Sequence, residues 1–311
     1  MFFWFELMAA GASRLSAFAK KKPWKWFKET RMMSQGAVPA GEMGTIILTL
    51  PDGRKLTTDE LHRMTGRVDF RDGKLLDVTG KVQYETIGKS NVSPAAESLH
   101  QQARQAGGRG DYETAIALFQ QASELAPAWP YPIYDRAYTH LLIKDFDAAR
   151  MYYQRTLELS PRGFFTAITA LHTLVREKNG DLPIGTYLAY LSLEWTENEA
   201  QRDGAAREMV KQIPQFAPAW KEFASLCDDD DERFAAIEKG LAASPDAETK
   251  GMLEINKALV LNLKGDQAAA VRILEELALD PKSTFGTEHS AKAALSILLM
   301  KSVVAVSPSP D

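Results

Sequence analysis

Two hydrophobic patterns divide the chain. Residues 44–88 alternate apolar and polar positions, which is typical of half-buried strands. From Pro94 to about Met300 the alternation stops, and apolar residues, many of them alanine, recur at helical spacing. The pattern predicts a mostly α-helical protein with four parts: a mobile segment at 1–42, a small β-rich module at 43–90, helices over 94–301, and a disordered tail at 302–311.

The β-rich module is expected to hold three or four strands and one short helix. The first strand, 45–50, stops at the turn signal Pro51-Asp52-Gly53. Two further alternating segments, 65–70 and 79–84, flank Asp72-Gly73, whose residues tolerate a hairpin turn. A capping-box spacing from Thr57 to Glu60 predicts the helix. At ~45 residues this module is too small for confident independent stability, so we expect it to pack on the helices.

The helical region contains an internal repeat. Residues 110–127 and 144–161 align at an offset of 34 positions. Aromatic residues replace each other at Tyr112/Phe146 and Phe119/Tyr153. Six further pairs are identical: Asp111/Asp145, Ala115/Ala149, Gln120/Gln154, Glu124/Glu158, Leu125/Leu159 and Pro127/Pro161.

Each recurring residue type suits a pair of antiparallel helices. The chain turns at Gly110 in the first copy and at Lys144 in the second. The aspartate that follows each turn caps the second helix by accepting its free amide protons. An alanine four residues later allows two helices to cross at ~8–10 Å. An aromatic ring one turn further on fills the space between them, and the closing proline stops the second helix.

These residues resemble the tetratricopeptide repeat family, specifically over 95–161. The resemblance implies a solenoid of stacked helical hairpins with a concave, partner-binding groove. Looser copies follow: Gly265-Asp266 to Pro281 repeats the pattern, and Ala217-Pro218-Ala219-Trp220 matches residues 126–129 and marks another repeat boundary. Between 163 and 213 we expect three helices, at about 164–178, 183–196 and 198–213, which leave the pairing open, and a capping helix at 288–301.

Candidate groove residues lie on the first helix of each repeat. Tyr131, Tyr134 and Tyr138 step by three and four and so share one face, which by family register looks into the groove. Alternatively, these rings pack against the preceding helix pair. His100 and Arg104 occupy the matching positions of the first repeat. Because tetratricopeptide domains that grip chaperone tails use a lysine–asparagine clamp there, we do not expect chaperone-tail binding.

Other motifs have simpler interpretations. Gly88-Lys89-Ser90 lacks the upstream glycine of a phosphate-binding loop, and Gly107–Gly110 is better read as a helix end. The acidic run 228–232 lacks the spacing of a calcium loop and is expected to precede a helix. Histidines are scattered without metal-ligand spacing, and no catalytic constellation is evident. We therefore expect no metal, no cofactor and no enzymatic activity.

Charge is uneven along the chain. Residues 1–33 hold seven basic and two acidic residues, whereas the whole chain has a net charge of −4, so the body is acidic and no nucleic-acid partner is expected. Within the basic segment, Trp24, Lys25, Trp26 and Phe27 have the character of an interfacial anchor, which allows weak membrane-surface contact through 1–28. Alternatively, these residues belong to a flexible basic tail. The single cysteine, Cys227, fits a reducing, cytoplasmic location.

The leading function is a non-catalytic scaffold or adaptor that binds a protein or peptide in the groove. Two alternatives stay open. The chain is an accessory or ligand-binding part of an enzyme that uses 43–90, or a peripheral membrane assembly factor that uses 1–28.

Overall fold

The structure is a computed structural model. It describes the backbone of 45–49, 55–57 and 83–87, then 92–194, 196 and 198–304, and the side chains of most of the helical residues. The helical residues divide into two compact units between Arg202 and Asp203. We call the helical residues up to Arg202 unit 1 and those from Asp203 onward unit 2. Whether 94–301 forms one solenoid stays a prediction.

Unit 1 is built from consecutive helices, each packed on the next. The turns between the first four helices are three or four residues long, so neighbouring helices run antiparallel. This confirms the two consecutive hairpins predicted over 95–161. The helices are α1 (Pro94–Gly108), α2 (Tyr112–Leu125), α3 (Pro130–Leu142), α4 (Phe146–Leu159), α5 (Ala167–Asn179) and α6 (Thr186–Glu194); α7 (Glu199–Gln212) runs across the division between the units.

Both repeat turns follow the predicted chemistry. Gly110 and Lys144 take positive φ values of 83° and 63°, which reverse the chain after α1 and α3. The carboxylate of Asp111 then accepts the amide proton of Thr114, and that of Asp145 accepts the amide proton of Ala148, at 3.2 and 3.1 Å. The two helices therefore begin with the same aspartate cap.

The repeated small and aromatic residues form the hairpin cores. Ala115 and Ala149 are fully buried, and the rings of Phe119 and Tyr153 lie one turn further on, also buried. Phe119 packs in one cluster with Ala103 and Ala106 of α1. Ridge-into-groove packing of this kind needs a small residue where the helices approach most closely. The predicted roles of these positions are confirmed.

Three helices lie between 163 and 213, as predicted, with ends that differ by a few residues. A buried carboxylate supports the loop between the first two: Glu177 accepts the amide protons of Gly185 and Tyr187 at 2.9 and 2.8 Å. Gly180, at φ 80°, ends α5 in the left-handed conformation that glycine adopts most easily.

Unit 2 contains five complete helices among its described residues. The acidic run is solvated at the helix start as predicted: Asp229 caps the helix that begins at Asp230 by accepting the amide protons of Asp231 and Glu232. The looser repeat copy is also confirmed, since Asp266 caps the helix that begins at Gln267, and Ala270 and Leu274 are fully buried. The helices are α8 (Ala217–Leu226), α9 (Asp230–Ala242), α10 (Ala247–Leu263), α11 (Gln267–Leu279) and α12 (Phe285–Val304).

One sequence match proves not to be a structural match. Residues 126–129 connect α2 to α3, with Trp129 at the cap position before the helix. The identical residues 217–220 instead form the first turn of α8, where proline is tolerated because its missing amide proton is not needed. The predicted boundary is present, but the same four letters stand on opposite sides of a helix start.

Glycines mark the closest helix contacts of unit 2. α10 packs on both α11 and α12. A Cβ built on Gly251 would lie 2.0 Å from Oγ1 of Thr287, and one on Gly286 would lie 2.3 Å from Oε1 of Glu248. The whole Thr287 side chain, including its Cβ, blocks a side chain at Gly251, so α10 and α12 approach closely there because Gly251 is glycine; a Cβ at Gly286 would meet only the flexible end of Glu248.

Three short strands are described in the N-terminal part: β1 (Thr45–Thr49), β2 (Lys55–Thr57) and β3 (Gln83–Ile87). β1 matches the predicted first strand, and it pairs antiparallel with β2, with Leu48 opposite Leu56. β3 overlaps the predicted 79–84 strand by only two residues. The 65–70 strand, the short helix, and the tail from 305 lie outside the described residues, so the β-rich module stays a prediction.

Candidate functional site

The predicted groove residues come together on one face of unit 1. His100 and Arg104 lie one turn apart on α1, and Tyr131, Tyr134 and Tyr138 lie along α3. α1 contacts α3 directly, although α2 comes between them in the chain. The 34-residue repeat explains this, because the first helices of successive hairpins stack side by side. We call this surface the α1/α3 face.

A buried carboxylate that sequence reasoning missed organises the face. The Nε2 of His100 donates to Oδ2 of Asp135 at 2.8 Å, and the Nε of Arg104 lies 3.7 Å from the same oxygen. The side chains of all three are at most 10% exposed. A buried carboxylate needs such partners, because an unpaired charge away from water is strongly unfavourable. Asp135 thus ties α1 to α3.

Aromatic rings surround this ion pair. The His100 ring lies 4.8 Å from that of Trp129 and 6.2 Å from that of Tyr131, both edge-on. Tyr131 also meets Phe164 edge-on at 4.8 Å. Edge-to-face geometry is favoured because the positive rim of one ring meets the negative face of another. The result is a continuous aromatic lining from the start of α3 to the segment before α5.

Tyr131 is half-buried, and its hydroxyl stays protonated. Burial raises the pKa of Tyr131 to about 12; the nearby Asp135 carboxylate adds to the rise, and Arg104 opposes it. A tyrosine is already neutral at physiological pH, and the raised pKa keeps this ring neutral in more alkaline solution as well. It is the predicted tyrosine best placed to meet a partner.

Tyr134 and Tyr138 lie deeper than Tyr131. They are 2% and 5% exposed. The Tyr134 hydroxyl shares a 2.8 Å hydrogen bond with that of Thr166, and its ring lies 5.7 Å from Tyr153. Tyr134 packs against its own hairpin and against Phe164 and Phe165 of the segment that follows it, rather than against the preceding hairpin alone. Tyr134 and Tyr138 support the α1/α3 face from below and present little surface to solvent.

The face joins a buried carboxylate, which contacts both His100 and Arg104, to a neutral aromatic lining. Such a surface suits non-covalent contact with a polypeptide, since aromatic residues and arginine supply much of the contact energy at protein interfaces. Asp135, Trp129 and Phe164 were missed as site residues. The only sequence signal for Asp135 was a poor helix former inside a helix; its pairing with His100, 35 positions away, appears only in the fold.

The remaining predicted motifs are placed as follows. Gly107–Gly110 forms the end of α1 and the turn after it, as expected. Within the described residues, no group of histidine, cysteine or acidic side chains is arranged to hold a metal ion. In the same part of the chain, no helix combines the length and apolar character needed to cross a membrane. Trp24, Lys25, Trp26, Phe27 and Gly88–Ser90 lie outside it.

Comparison with known proteins gives only distant structural similarity. No family model matches the chain. No curated protein matches it either. Among solved structures, the TPR2AB domain of yeast Sti1 in complex with an HSP90 peptide is 18% identical, covers 66% of this chain and 86% of its own, and has a TM-score of 0.32.

Two other solved structures are comparably similar. YrrB, a TPR protein with an unusual peptide-binding site, is 12% identical and has a TM-score of 0.28; the match covers 67% of this chain and 92% of YrrB. MamA from Desulfovibrio magneticus, from residue 41 onward, is 14% identical, with 60% and 94% coverage and a TM-score of 0.29. Overlaps this low add no argument of their own, so the tetratricopeptide-type assignment rests on the repeated hairpins of unit 1.

Proposed function

We propose that this chain is a non-catalytic scaffold that binds a protein or peptide on the α1/α3 face, which the tetratricopeptide resemblance makes the concave side. The contact residues are Tyr131 and Arg104, with His100, Tyr134 and Tyr138 supporting them from below. A cytoplasmic location belongs to the same proposal. The alternatives that use 43–90 or 1–28 stay predictions, because most or all of those residues are not described.

One observation carries the proposal: Tyr131 stands half-buried within a ring cluster, next to the linked His100–Asp135–Arg104 group. A side chain with a rigid ring and few rotors costs little entropy when it is immobilised at an interface. The ion pair holds α1 and α3 together, so the face is organised before a partner arrives. Preorganisation of this kind favours binding over catalysis in a site without an evident nucleophile and base.

Site-directed photocrosslinking tests the position of the partner. A benzophenone amino acid replaces Gln101, an exposed residue of α1 between His100 and Arg104. The matched control places it at Glu113, an exposed residue of α2. We expect a discrete protein or peptide adduct from position 101, absent from position 113, and identified by mass spectrometry of the adduct.

A second variant shows whether the adduct depends on the face. Tyr131→Ala is expected to reduce the 101 adduct at least about tenfold, because aromatic interface anchors contribute ~2 kcal/mol or more. Tyr112→Ala, a half-buried tyrosine of α2, should leave it unchanged. If both positions crosslink equally, or if the adduct survives Tyr131→Ala in a folded protein, the α1/α3 face is not the binding surface.

A further inference from the structure

The structure assigns to Asp135 a role in specificity: it makes the α1/α3 face refuse a free carboxylate and accept an uncharged, internal stretch of polypeptide. This rests on the proposed function, because it specifies which part of a partner that face binds. The deciding observation is that Asp135 pairs with both His100 and Arg104.

The charge of Arg104 is already matched inside the protein. Its Nε lies 3.7 Å from Oδ2 of Asp135, and both side chains are at least nine-tenths buried. A ligand carboxylate that approached this guanidinium would also approach the Asp135 carboxylate. Like charges brought together in a poorly solvated site disfavour binding strongly, so the pair that stabilises the free protein opposes an anionic ligand.

His100 cannot offset this repulsion between a ligand carboxylate and Asp135. Its Nε2 donates to the same oxygen of Asp135, at 2.8 Å, and its ring is enclosed by Phe119, Trp129 and Tyr131. To contact a ligand carboxylate through Nε2, the imidazole would have to abandon a buried carboxylate. Leaving a buried charge without its hydrogen bond is more unfavourable than the new contact is favourable.

The rest of the lining favours a neutral occupant. Tyr131 is neutral at physiological pH, as an ordinary tyrosine is, and burial raises its pKa further, to about 12. Phe164 and Phe165 lie 4.8 and 5.5 Å from the Tyr131 ring. Apolar side chains of a bound segment gain by covering such rings. Charge complementarity therefore points to the middle of a partner chain, not to its carboxyl terminus.

Two peptide pools test this on the full-length protein. Both contain the same random octapeptides without aspartate or glutamate; one pool ends in a free carboxylate and the other in a carboxamide, which mimics an internal segment. Retention on the immobilised protein is measured by mass spectrometry as an acid-to-amide ratio. Wild type is expected to retain the amide pool in preference, and Tyr131→Ala should lower retention of that pool.

Asp135→Asn then reverses the preference. It keeps the side-chain shape but removes the negative charge that lies beside Arg104, so the acid-to-amide ratio should rise at least about tenfold. Adding Arg104→Gln should cancel that rise, because the guanidinium that would attract the ligand carboxylate is gone. Asp145→Asn is the matched control: it also removes a carboxylate that accepts from a histidine, His140 at 3.1 Å, but at the α3–α4 turn. Its ratio should equal that of wild type, and circular dichroism verifies that each variant is folded.

The outcomes separate the two proposals. If wild type retains neither pool, the proposed function and this assignment both fail. If wild type prefers the acid pool, or if folded Asp135→Asn leaves the ratio unchanged, the role of Asp135 is overturned while peptide binding stands. An equal rise with Asp145→Asn would show a general charge effect and would also overturn it.

Discussion

Unit 1 and unit 2 both pack antiparallel helices, yet they fill their closest contacts differently. In unit 1, alanines at the crossing points and a ring one turn later are repeated at Ala115/Phe119 and Ala149/Tyr153. In unit 2, α10 packs on two helices, and its contact with α12 excludes any Cβ at Gly251. A repeated hairpin tolerates an exchange of Phe for Tyr, whereas a contact made through bare backbone tolerates no added atom.

Substitution of Gly251 should break unit 2 most severely. Gly251→Ala would place a Cβ 2.8 Å from the Cβ of Thr287 as well as 2.0 Å from its hydroxyl, so the helices must move apart. We expect a loss of about 3 kcal/mol in the free energy of unfolding, measured by urea denaturation.

Gly204→Ala is its control, because a Cβ at that exposed helical position meets nothing within 4 Å. It should stabilise the protein by about 0.5–1 kcal/mol, since alanine is the better helix former. Equal changes in the free energy of unfolding for the two substitutions would show that the α10–α12 contact does not exclude a side chain at Gly251.

Both units also bury a carboxyl group, which sharpens the comparison. In unit 1 burial raises the pKa of Glu177 above its ordinary value, against two opposing backbone hydrogen bonds. In unit 2 burial raises the pKa of Glu248, against a hydrogen bond from Thr284. In unit 1 the Glu177 carboxyl group holds the loop between α5 and α6. In unit 2 the Glu248 carboxyl group accepts a hydrogen bond from Thr284, which lies just before α12.

Glu177→Gln should cost about 2 kcal/mol, because one of two buried amide protons loses its acceptor. The pH dependence has a defined sign. Since the folded protein holds this proton more tightly than the unfolded chain, the free energy of unfolding falls as pH rises from 4.5, the ordinary value, through the raised pKa. Urea denaturation across this pH range measures how steeply the free energy of unfolding falls with pH. The fall should be less steep in Glu177→Gln than in wild type; an identical dependence on pH would contradict the prediction.

The aromatic exchange in unit 1 can be tested directly. The Tyr153 hydroxyl is buried and has no hydrogen-bond partner among the described atoms. Tyr153→Phe makes the second repeat like the first, which has Phe119 there. Removing an unsatisfied buried hydroxyl should raise the free energy of unfolding by about 1 kcal/mol. Thermal unfolding measures this; a lower midpoint would show that the hydroxyl is satisfied in solution.

The smallest difference is expected between the two repeated caps. Asp111→Ala should cost about 1 kcal/mol through the lost helix cap. Asp145→Ala should cost about 0.5 kcal/mol more, because Asp145 also accepts a hydrogen bond from His140. Parallel urea titrations of the two variants compare them. Equal losses would mean that the His140 contact adds nothing.

Prediction from sequence succeeded where the signal lies within a few residues. The Asp111 and Asp145 caps, the turns at Gly110 and Lys144, and the buried Ala115 and Ala149 all appear as expected. It was less accurate where identical letters met different neighbours. Residues 126–129 and 217–220 share their sequence, but one set connects two helices and the other begins one.

The composition of the proposed binding face, the α1/α3 face, was only half predictable. Helical spacing correctly put Tyr131, Tyr134 and Tyr138 on one side of α3, yet it did not separate the half-buried ring from the two buried ones. Helical spacing also missed Asp135, because no residue near it in the chain indicates that it pairs with His100, which lies 35 positions earlier. Depth below the surface depends on what packs on top, which spacing within one helix does not specify.

The amino-acid sequence by itself determined that α1–α4 form two capped, antiparallel hairpins, because caps, turns and helix stops act between residues a few positions apart. Tertiary structure alone decided that His100 and Arg104 share the Asp135 carboxylate, that Tyr134 and Tyr138 lie beneath the surface, and that Gly251 must lack a side chain. Those outcomes depend on distances between separate helices, which packing sets and the local sequence does not encode.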